Sequence, residues 1–276
     1  MKTRYRIAAS CAALLTVFAA ALPAHAADVD MYDGQWHYNL TPYGWFPSMK
    51  GEFRFDLPNG ASFSPVVEAH PSGYLKDLQF AGMLYGEARK GSYALWTDIV
   101  YADLSSLKSK VREVQGPGGA VSIPLNVDAN MGLKALVWTA GGAYTLVREK
   151  AVKVDALAGV RYGDLDSSLD ANGSGPAGIY GFSRGASVKA HLWDGIVGVQ
   201  GNWTLDDAGR WYVPFEVDIG AGSNNWTWNG IVGIGYRMDW GSVVLAYRNL
   251  KFSMTDDGPV SNMSMYGPAL GVTFRW

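Results

Sequence analysis

Cysteine is almost absent from this sequence: Cys11 is the only one, and it lies in a stretch with the features of a cleavable leader. The rest of the chain therefore has no thiol, which excludes a disulfide framework and a thiolate metal site. Histidine is scarce too. His37, His70 and His191 are far apart, with no spacing that suits a metal ion. We expect no metal and no other cofactor.

Strong net charge and long apolar runs are also missing. The 23 Lys and Arg residues nearly balance the 25 Asp and Glu residues, and no basic patch stands out, so nucleic acid is not an expected partner. After the leader, no stretch approaches the roughly 18 consecutive apolar residues of a transmembrane helix. Glycine and tryptophan, by contrast, are abundant, with 34 and 11 residues.

The first 26 residues have the pattern of a secretory signal peptide. Lys2, Arg4 and Arg6 precede an apolar run, and Ala24-His25-Ala26 is a small-x-small cleavage sequence. The apolar stretch before Cys11 is too short for a lipoprotein signal. We therefore expect a signal peptide over 1–26 and one mature domain over 27–276. Export without a helical anchor leaves a secreted all-β protein or an outer-membrane barrel.

Short turns alternate with longer connections along the chain. The short turns are predicted near 89–91, 148–150, 206–209 and 239–241, and the connections between them over 49–77, 106–126, 168–184, 221–225 and 255–263. Only 221–225 is short among the second set. Tight turns at one end and long loops at the other are typical of bacterial transmembrane barrels, with the tight end in the periplasm.

The segments between these connections alternate with a period of two, as strands do. We predict an all-β fold, a transmembrane antiparallel up-and-down β-barrel of about ten strands, with twelve or eight as alternatives. The stretch 51–68, around Pro58-Asn59-Gly60, forms either a hairpin above the membrane or a further pair of crossings. The predicted strands are 34–48, 78–90, 92–105, 126–148, 151–167, 186–204, 210–221, 225–239, 242–255 and 263–276.

The residue types on the two faces of each strand distinguish a membrane barrel from a soluble sandwich. Val217 and Ile219 share an apolar face while Glu216 and Asp218 share the other, and that polar face carries Gly, Ala and single charges, as a crowded lumen does. Aromatic residues cluster near strand ends. They are either core residues or the two interfacial girdles of a membrane barrel, the interpretation we favour: Trp36, Tyr38, Trp45, Phe46, Trp203, Trp211, Tyr236 and Trp276.

The alternation sends six acidic and six basic side chains into the lumen. Because a buried unpaired charge is costly, we expect them to pair, either as a network in a narrow, plugged barrel or around a small polar pore. Balanced signs argue against strong ion selection. The predicted lumen-lining charges are Glu87, Asp98, Lys134, Lys153, Asp155, Arg161, Asp194, Glu216, Asp218, Arg237, Arg248 and Arg275.

Several fragments resemble a family of proteobacterial outer-membrane β-barrel proteins. They are Thr41-Pro42-Tyr43-Gly44-Trp45-Phe46-Pro47 with Gly51, Glu87-Ala88-Arg89-Lys90-Gly91, Gly159-Val160-Arg161-Tyr162, Trp193-Asp194-Gly195-Ile196-Val197-Gly198, Gly233-Ile234-Gly235-Tyr236-Arg237, Ala246-Tyr247-Arg248 and Gly267-Pro268-Ala269-Leu270-Gly271. The resemblance implies the fold and a location in the bacterial outer membrane, and it brings no activity or site.

The end of the chain is a further point of resemblance. Phe274 and Trp276 resemble the aromatic ending that outer-membrane proteins present to the barrel assembly machinery, although the usual last residue is Phe. We therefore expect that machinery as a partner during insertion. Outer-membrane lipid and lipopolysaccharide are the partners expected afterwards.

These patterns predict a structural barrel or a narrow channel for a small solute that the sequence does not identify. A hydrolase active at the outer rim is one alternative, because Asp103, Asp164, Asp166 and Asp170 accompany His191 at outer strand ends. No nucleophilic serine lies near His191 on its face, so no catalytic residue is predicted. Adhesion through the glycine-rich tips 116–119 and 173–178 is the other alternative.

Overall fold

The computed structural model describes residues 32–53, 55–56, 62–75, 80–115, 122–123, 127–174, 181–254 and 260–276; the predicted signal peptide lies outside them. The strands are β1 Trp36–Trp45, β2 Ser48–Phe53, β3 Phe55–Asp56, β4 Ser62–Ala69, β5 Phe80–Lys90, β6 Tyr93–Gln115, β7 Ser122–Ile123, β8 Val127–Arg148, β9 Val152–Ser174, β10 Gly181–Thr204, β11 Trp211–Ala221, β12 Asn225–Met238, β13 Gly241–Met254 and β14 Val260–Arg275. One short helix, α1, covers Pro71–Tyr74. No helix in these ranges is long and apolar enough to cross a membrane.

Ten strands close into an antiparallel ring, as predicted. The order around the ring is β1, β5, β6, β8, β9, β10, β11, β12, β13 and β14, and β1 pairs with β14 to complete it. Ring closure pairs both edges of these strands over most of their length, which is why a β-protein with exposed apolar faces takes this form.

Two further strands extend the wall at the long-loop end. β2 continues β1 along β14, and β4 pairs with both β2 and the outer part of β6. There, β2 and β4 take the places that β1 and β5 occupy nearer the short turns. The stretch 51–68 is thus a hairpin that lengthens the barrel and not an extra pair of crossings. Its predicted turn at 58–60 lies outside the described residues.

Three strands run well past their predicted ends. β6 reaches Gln115, β9 reaches Ser174, and β10 begins at Gly181 and pairs with β9 from its first residue. The predicted loops 106–126 and 168–184 were therefore wrong over much of their length. Backbone hydrogen bonds between strands form whatever the side chains are. A strand without alternating apolar residues therefore cannot be recognised from the sequence. The tips 116–121 and 175–180 lie outside the described residues.

Inward and outward side chains alternate as the sequence predicted. On β11, Val217 is 51% exposed on the outer surface, and the next residue, Asp218, is 1% exposed in the lumen. On β9, Val160 is exposed and Arg161 is buried, and on β6 the same holds for Leu95 and Trp96. The wall therefore turns an apolar face outward around the whole ring.

Outward aromatic side chains form two rows. At the short-turn end, Tyr38 stacks on Trp276 with ring centroids 5.9 Å apart, and Trp211 packs on Tyr236 at 4.9 Å. Further along, Tyr162 packs on Trp193 at 4.7 Å. The same strand carries one aromatic of each row ten residues apart in several places: Trp193 and Trp203 on β10, Trp226 and Tyr236 on β12.

Trp45 was predicted to belong to an interfacial girdle, and the structure shows that it does not. It is 3% exposed and packs in the lumen, whereas its neighbour Phe46 is exposed on the outer surface. Consecutive residues of a strand face opposite sides, so the two cannot share a girdle. Trp36 stands ten residues before Phe46, which places Phe46 at the level of the second row.

Candidate functional site: the lumen

The predicted lumen charges face the lumen with one exception. Lys134 follows the outward alternation of β8, its side chain is 60% exposed, and its Nζ lies 3.4 Å from Asp103 on the neighbouring strand. Its assignment to the lumen was therefore wrong. The others occupy inward positions of their strands, and Asp98, Asp155, Arg161, Asp194, Asp218 and Arg248 are buried there.

A polar layer crosses the middle of the barrel. Arg248 donates from Nη1 to Asp98 Oδ2 at 2.8 Å and to the Tyr43 hydroxyl at 2.9 Å, and Tyr43 donates to the other Asp98 oxygen at 2.6 Å. Arg248 Nε donates to Asn229 Oδ1 at 3.0 Å. These contacts join β1, β6, β12 and β13 through one guanidinium.

Asn229 links this group to a second arginine. Its amide nitrogen donates to Asp218 Oδ2 at 2.9 Å and to Glu216 Oε1 at 2.8 Å. Arg161 Nη2 lies 2.9 Å from the same Asp218 oxygen, and its Nη1 donates to Thr227 at 3.2 Å. Arg161 and Arg248 are 1% and 3% exposed. We call the set Tyr43, Asp98, Arg161, Asp218, Asn229 and Arg248 the central layer.

A second ionic group lies nearer the short turns, around Arg89. This side chain is 0% exposed; its Nε donates to Glu87 at 2.9 Å and its Nη2 to Asp155 at 2.5 Å. Thr145 donates to the second Asp155 oxygen at 2.7 Å, and Lys153 Nζ lies 3.2 Å from Asp155. Ion pairs between lumen side chains thus lie here and in the central layer.

Sequence analysis did not identify Arg89, Tyr43 and Asn229 as members of the lumen network. Arg89 was assigned to a turn, yet it stands two residues after Glu87 and so shares its face, which was a usable signal. Tyr43 and Asn229 are uncharged, and only the observed contacts identify them as the links between ion pairs.

A polar cavity of about 1380 Å³ lies between the central layer and the short turns, and we call it the vestibule. Its lining includes turn residues 205–210 and Asp239, so it opens at the short-turn end. Arg237 is held on its wall by the Gly209 carbonyl at 2.7 Å and by the Tyr212 ring, whose centroid is 4.1 Å from the guanidinium carbon. Arg275 and Glu216 also line it.

His37 lines the vestibule, and Asp33 contacts it. The Asp33 carboxylate accepts from the Gln35 backbone N–H at 2.7 Å and lies 2.8 Å from His37 Nε2. The backbone hydrogen bond, and then the contact with His37, lower the pKa of Asp33 below its ordinary value. Asp33 therefore stays ionised as a fixed acceptor that orients the His37 ring.

The lumen beyond the central layer is apolar. Trp45, Val137, Leu250 and Phe252 are buried there together with Met263 and other inward side chains. Asp194 is a polar group outside both ionic groups; it accepts from Asn225 at 2.5 Å, and its other oxygen is buried without a hydrogen-bond partner. The lumen thus has an apolar half beyond the central layer and a charged middle. In the half nearer the short turns, the vestibule and the Arg89 group lie beside an apolar cluster that includes Trp96 and Leu157.

Among the rim residues of the hydrolase alternative, those with described side chains do not converge on a cleft; the Asp170 side chain lies outside the described part. Asp164 lies 3.3 Å from His191 and Asp166 lies 3.1 Å from Lys189, and all four point outward from β9 and β10. Asp103 pairs with Lys134 on the outer surface instead of joining them. Across the described ranges, no group of three or more His, Cys, Asp or Glu side chains could hold a metal ion.

Solved structures of bacterial outer-membrane proteins have a similar fold. The outer membrane protease OmpT of Escherichia coli aligns over 90% of this chain and 99% of its own, with a TM-score of 0.56 and 11% identity. The translocator domain of the autotransporter NalP of Neisseria meningitidis (TM-score 0.38, 14% identity) covers 97% of this chain and 98% of its own. The Ralstonia pickettii toluene transporter TbuX (0.36, 13%) covers 87% and 72%. No family model and no curated protein sequence matches the chain.

The likeness to OmpT shows a shared barrel and not a shared activity. At 11% identity it carries no catalytic residue across, and the outward direction of Asp164 and His191 gives no independent reason to expect proteolysis. This chain has the fold of a bacterial outer-membrane β-barrel.

Proposed function

We propose that this protein is an integral outer-membrane barrel whose lumen is closed to free passage of ions and polar solutes. The central layer carries this proposal. Arg161 and Arg248 reach across the lumen from opposite parts of the ring and are tied to each other through Asn229 and Asp218, and both guanidinium groups are buried. Apolar packing beyond the layer, which includes Leu250 and Phe252, also supports closure.

The outer surface supports insertion into a membrane. Exposed Leu95, Val197 and Ile219 belong to a continuous apolar surface, which in water would favour aggregation. With a rise of about 3.3 Å per residue and a tilt of about 40°, the ten residues between the aromatic rows span about 25 Å, the height of the apolar belt of such barrels. The pairs Asp103–Lys134 and Asp166–Lys189 then lie beyond the belt, at the level of lipid headgroups or above.

Membrane insertion and lumen closure are tested separately. The processed protein is expected in outer-membrane vesicles and, after extraction, in detergent; recovery in the aqueous fraction contradicts the proposal. In planar bilayers, wild-type protein should give no steady conductance. A stable open channel from unmodified protein would contradict closure while leaving the membrane location intact.

A gated small-solute channel is a second candidate, and the vestibule favours it. A polar cavity of about 1380 Å³ open at one end of the barrel is half of a transport path, and the Arg237 and Glu216 side chains on its wall are charged groups that a solute would meet. Under this candidate, the double variant Arg161→Ala/Arg248→Ala conducts in planar bilayers. The barrel with the double variant Arg89→Ala/Glu87→Ala, in which the central layer is intact, stays closed.

A further inference from the structure

The barrel wall has a gap on one side. β1 pairs with β5 only as far as Pro42 opposite Leu84, and β2 pairs with β4 from Met49 onward. Between these pairings, among the described residues, the backbone at 43–48 pairs as a strand with β14 alone, and the first residues of β5 pair with β6 alone. The wall gap is therefore bounded by 43–48 and by 80–83, and helix α1 lies over it.

The gap is built so that few backbone groups are left unpaired. Pro42 and Pro47 have no N–H to satisfy. The Trp45 N–H lies 3.0 Å from the Met83 sulfur, the Phe46 N–H donates to Pro268 O at 2.9 Å, and the Pro47 carbonyl accepts from the Tyr74 hydroxyl at 2.8 Å. Unpaired backbone groups at a lipid-facing edge cost several kcal/mol each, so this arrangement makes a permanent gap tolerable.

An apolar pocket of about 240 Å³ lies in the gap. Its inner wall includes Trp45, Val100 and Val137, and Met83 lines it from β5. Its outer wall includes Phe46 and Leu75, whose side chains are exposed on the outer surface. The pocket thus passes through the wall, from the outer surface to the apolar half of the lumen.

The gap lies within the apolar belt. Phe46 stands at the level of the second aromatic row, so residues 43–48 lie in the outer part of the belt, where the surroundings are hydrocarbon under the proposed membrane location. The pocket floor is Tyr43, whose hydroxyl is turned away to Asp98 at 2.6 Å. A guest entering here meets carbon and sulfur, and the central layer blocks its way to the vestibule.

We propose that this pocket binds a small uncharged hydrocarbon molecule that enters sideways from the outer leaflet through the wall gap. An apolar cavity of about 150 Å³ holds one benzene molecule, so about 240 Å³ suits a substituted benzene or a naphthalene-sized ring. The closed floor and the Tyr74 side chain across the opening favour such a compact guest over a long lipid chain. The inference rests on the proposed membrane location and not on lumen closure.

Photolabelling of the full-length protein in lipid vesicles tests the proposal. The probe is a phenyl trifluoromethyl diazirine, a small uncharged aromatic that partitions into the bilayer, and mass spectrometry reads the labelled residues. Label is expected on outward Leu95 and also on inward Met83 and Trp45. In Ala81→Phe, which fills the pocket, label on Met83 and Trp45 falls by about tenfold or more, since the excluded ring loses its apolar contacts.

Controls separate the possible outcomes. Ala88→Phe, on the outward face of the same strand, should leave all labelling unchanged. Excess naphthalene should protect Met83 and Trp45, whereas lengthening the lipid chains from 14 to 18 carbons should not; protection that depends on chain length assigns the pocket to a lipid tail and overturns the proposal. Label on Leu95 alone overturns it too. Absence of label on Leu95 as well contradicts the membrane location instead.

Discussion

Arg248 and Asp98 form an ion pair at 2.8 Å although 150 residues separate them in the sequence. The pair joins β13 to β6 across the lumen, and Tyr43 closes the contact from β1. The Arg248 and Asp98 side chains are only 4% and 10% exposed, so each charge is stabilised mainly by protein partners and little by water. The proposed closure of the lumen and the stability of the barrel therefore depend on the same contact.

Arg248→Met is expected to lower the free energy of unfolding by about 3 kcal/mol, because it leaves the Asp98 carboxylate buried without a cation. Arg248→Met/Asp98→Leu should recover most of that loss, since replacing both buried charges by apolar groups is often neutral. Urea unfolding in lipid vesicles, followed by tryptophan fluorescence, measures both. The control is Lys134→Met, whose exposed pair with Asp103 contributes at most about 1 kcal/mol. A similar loss for Lys134→Met and Arg248→Met contradicts the assigned faces.

Val199 and Gln200 are neighbours on β10 that face opposite ways. Val199 is exposed near the middle of the belt, between Trp193 and Trp203, whereas Gln200 lines the vestibule opposite Asp155 and Glu216. We expect Val199→Arg to cost about 2–4 kcal/mol, as a charge at the bilayer midplane does. Gln200→Arg should be tolerated, because it meets two carboxylates in a polar cavity. Folding yield in vesicles compares the two; equal yields would refute the membrane orientation of the wall.

The fold was predictable from the sequence because the strands of the ring alternate inward and outward side chains in the same way. Alternation at residues such as Val217 and Asp218 predicted both the ten strands and the face of nearly every charge. It could not show that β2 and β4 lengthen the wall, because strand pairing over the gap at 43–48 depends on distant partners. It misplaced Lys134 because a charge beyond the apolar belt can face outward without cost.

The division of the lumen was not predictable from residue types. Val137, Leu250 and Phe252 face inward with the same apolar character as outward residues, so alternation between the faces disappears where the lumen is apolar. The central layer was predicted only as a set of charges that pair. Which carboxylate meets which arginine follows from the tilt and register of the closed ring, and these emerge only from the fold.

Gly141 and Gly159 face each other across β8 and β9 at a close approach of the two backbones. A Cβ added at Gly141 would lie 2.2 Å from the Ala158 carbonyl oxygen, so the strands must move apart to accept it. Gly141→Ala is expected to cost about 1–3 kcal/mol, the usual range for overpacking. Gly195→Ala on β10 is the control, because a Cβ there meets nothing within 4 Å. Thermal unfolding in detergent should separate them, and equal midpoints would contradict the close approach.

Arg89 contacts two carboxylates that differ in how many other partners they have. The effect of removing Arg89 should therefore differ between Asp155 and Glu87. If Arg89 is removed, Asp155 keeps Lys153 and Thr145. Within the described part of the chain, Glu87 then keeps only the Tyr85 hydroxyl at 3.1 Å. Arg89→Gln should cost about 3 kcal/mol, since it strands buried charge.

In the Arg89→Gln background, Glu87→Gln is expected to restore about 1–2 kcal/mol, because it removes the carboxylate that has lost its cation. Asp155→Asn in the same background should restore less, since it also deprives Lys153 of its partner. Urea unfolding of the three variants in vesicles gives the order. Greater recovery with Asp155→Asn would mean that Lys153 does not neutralise Asp155, and the ion pairs beside the vestibule would have to be reassigned.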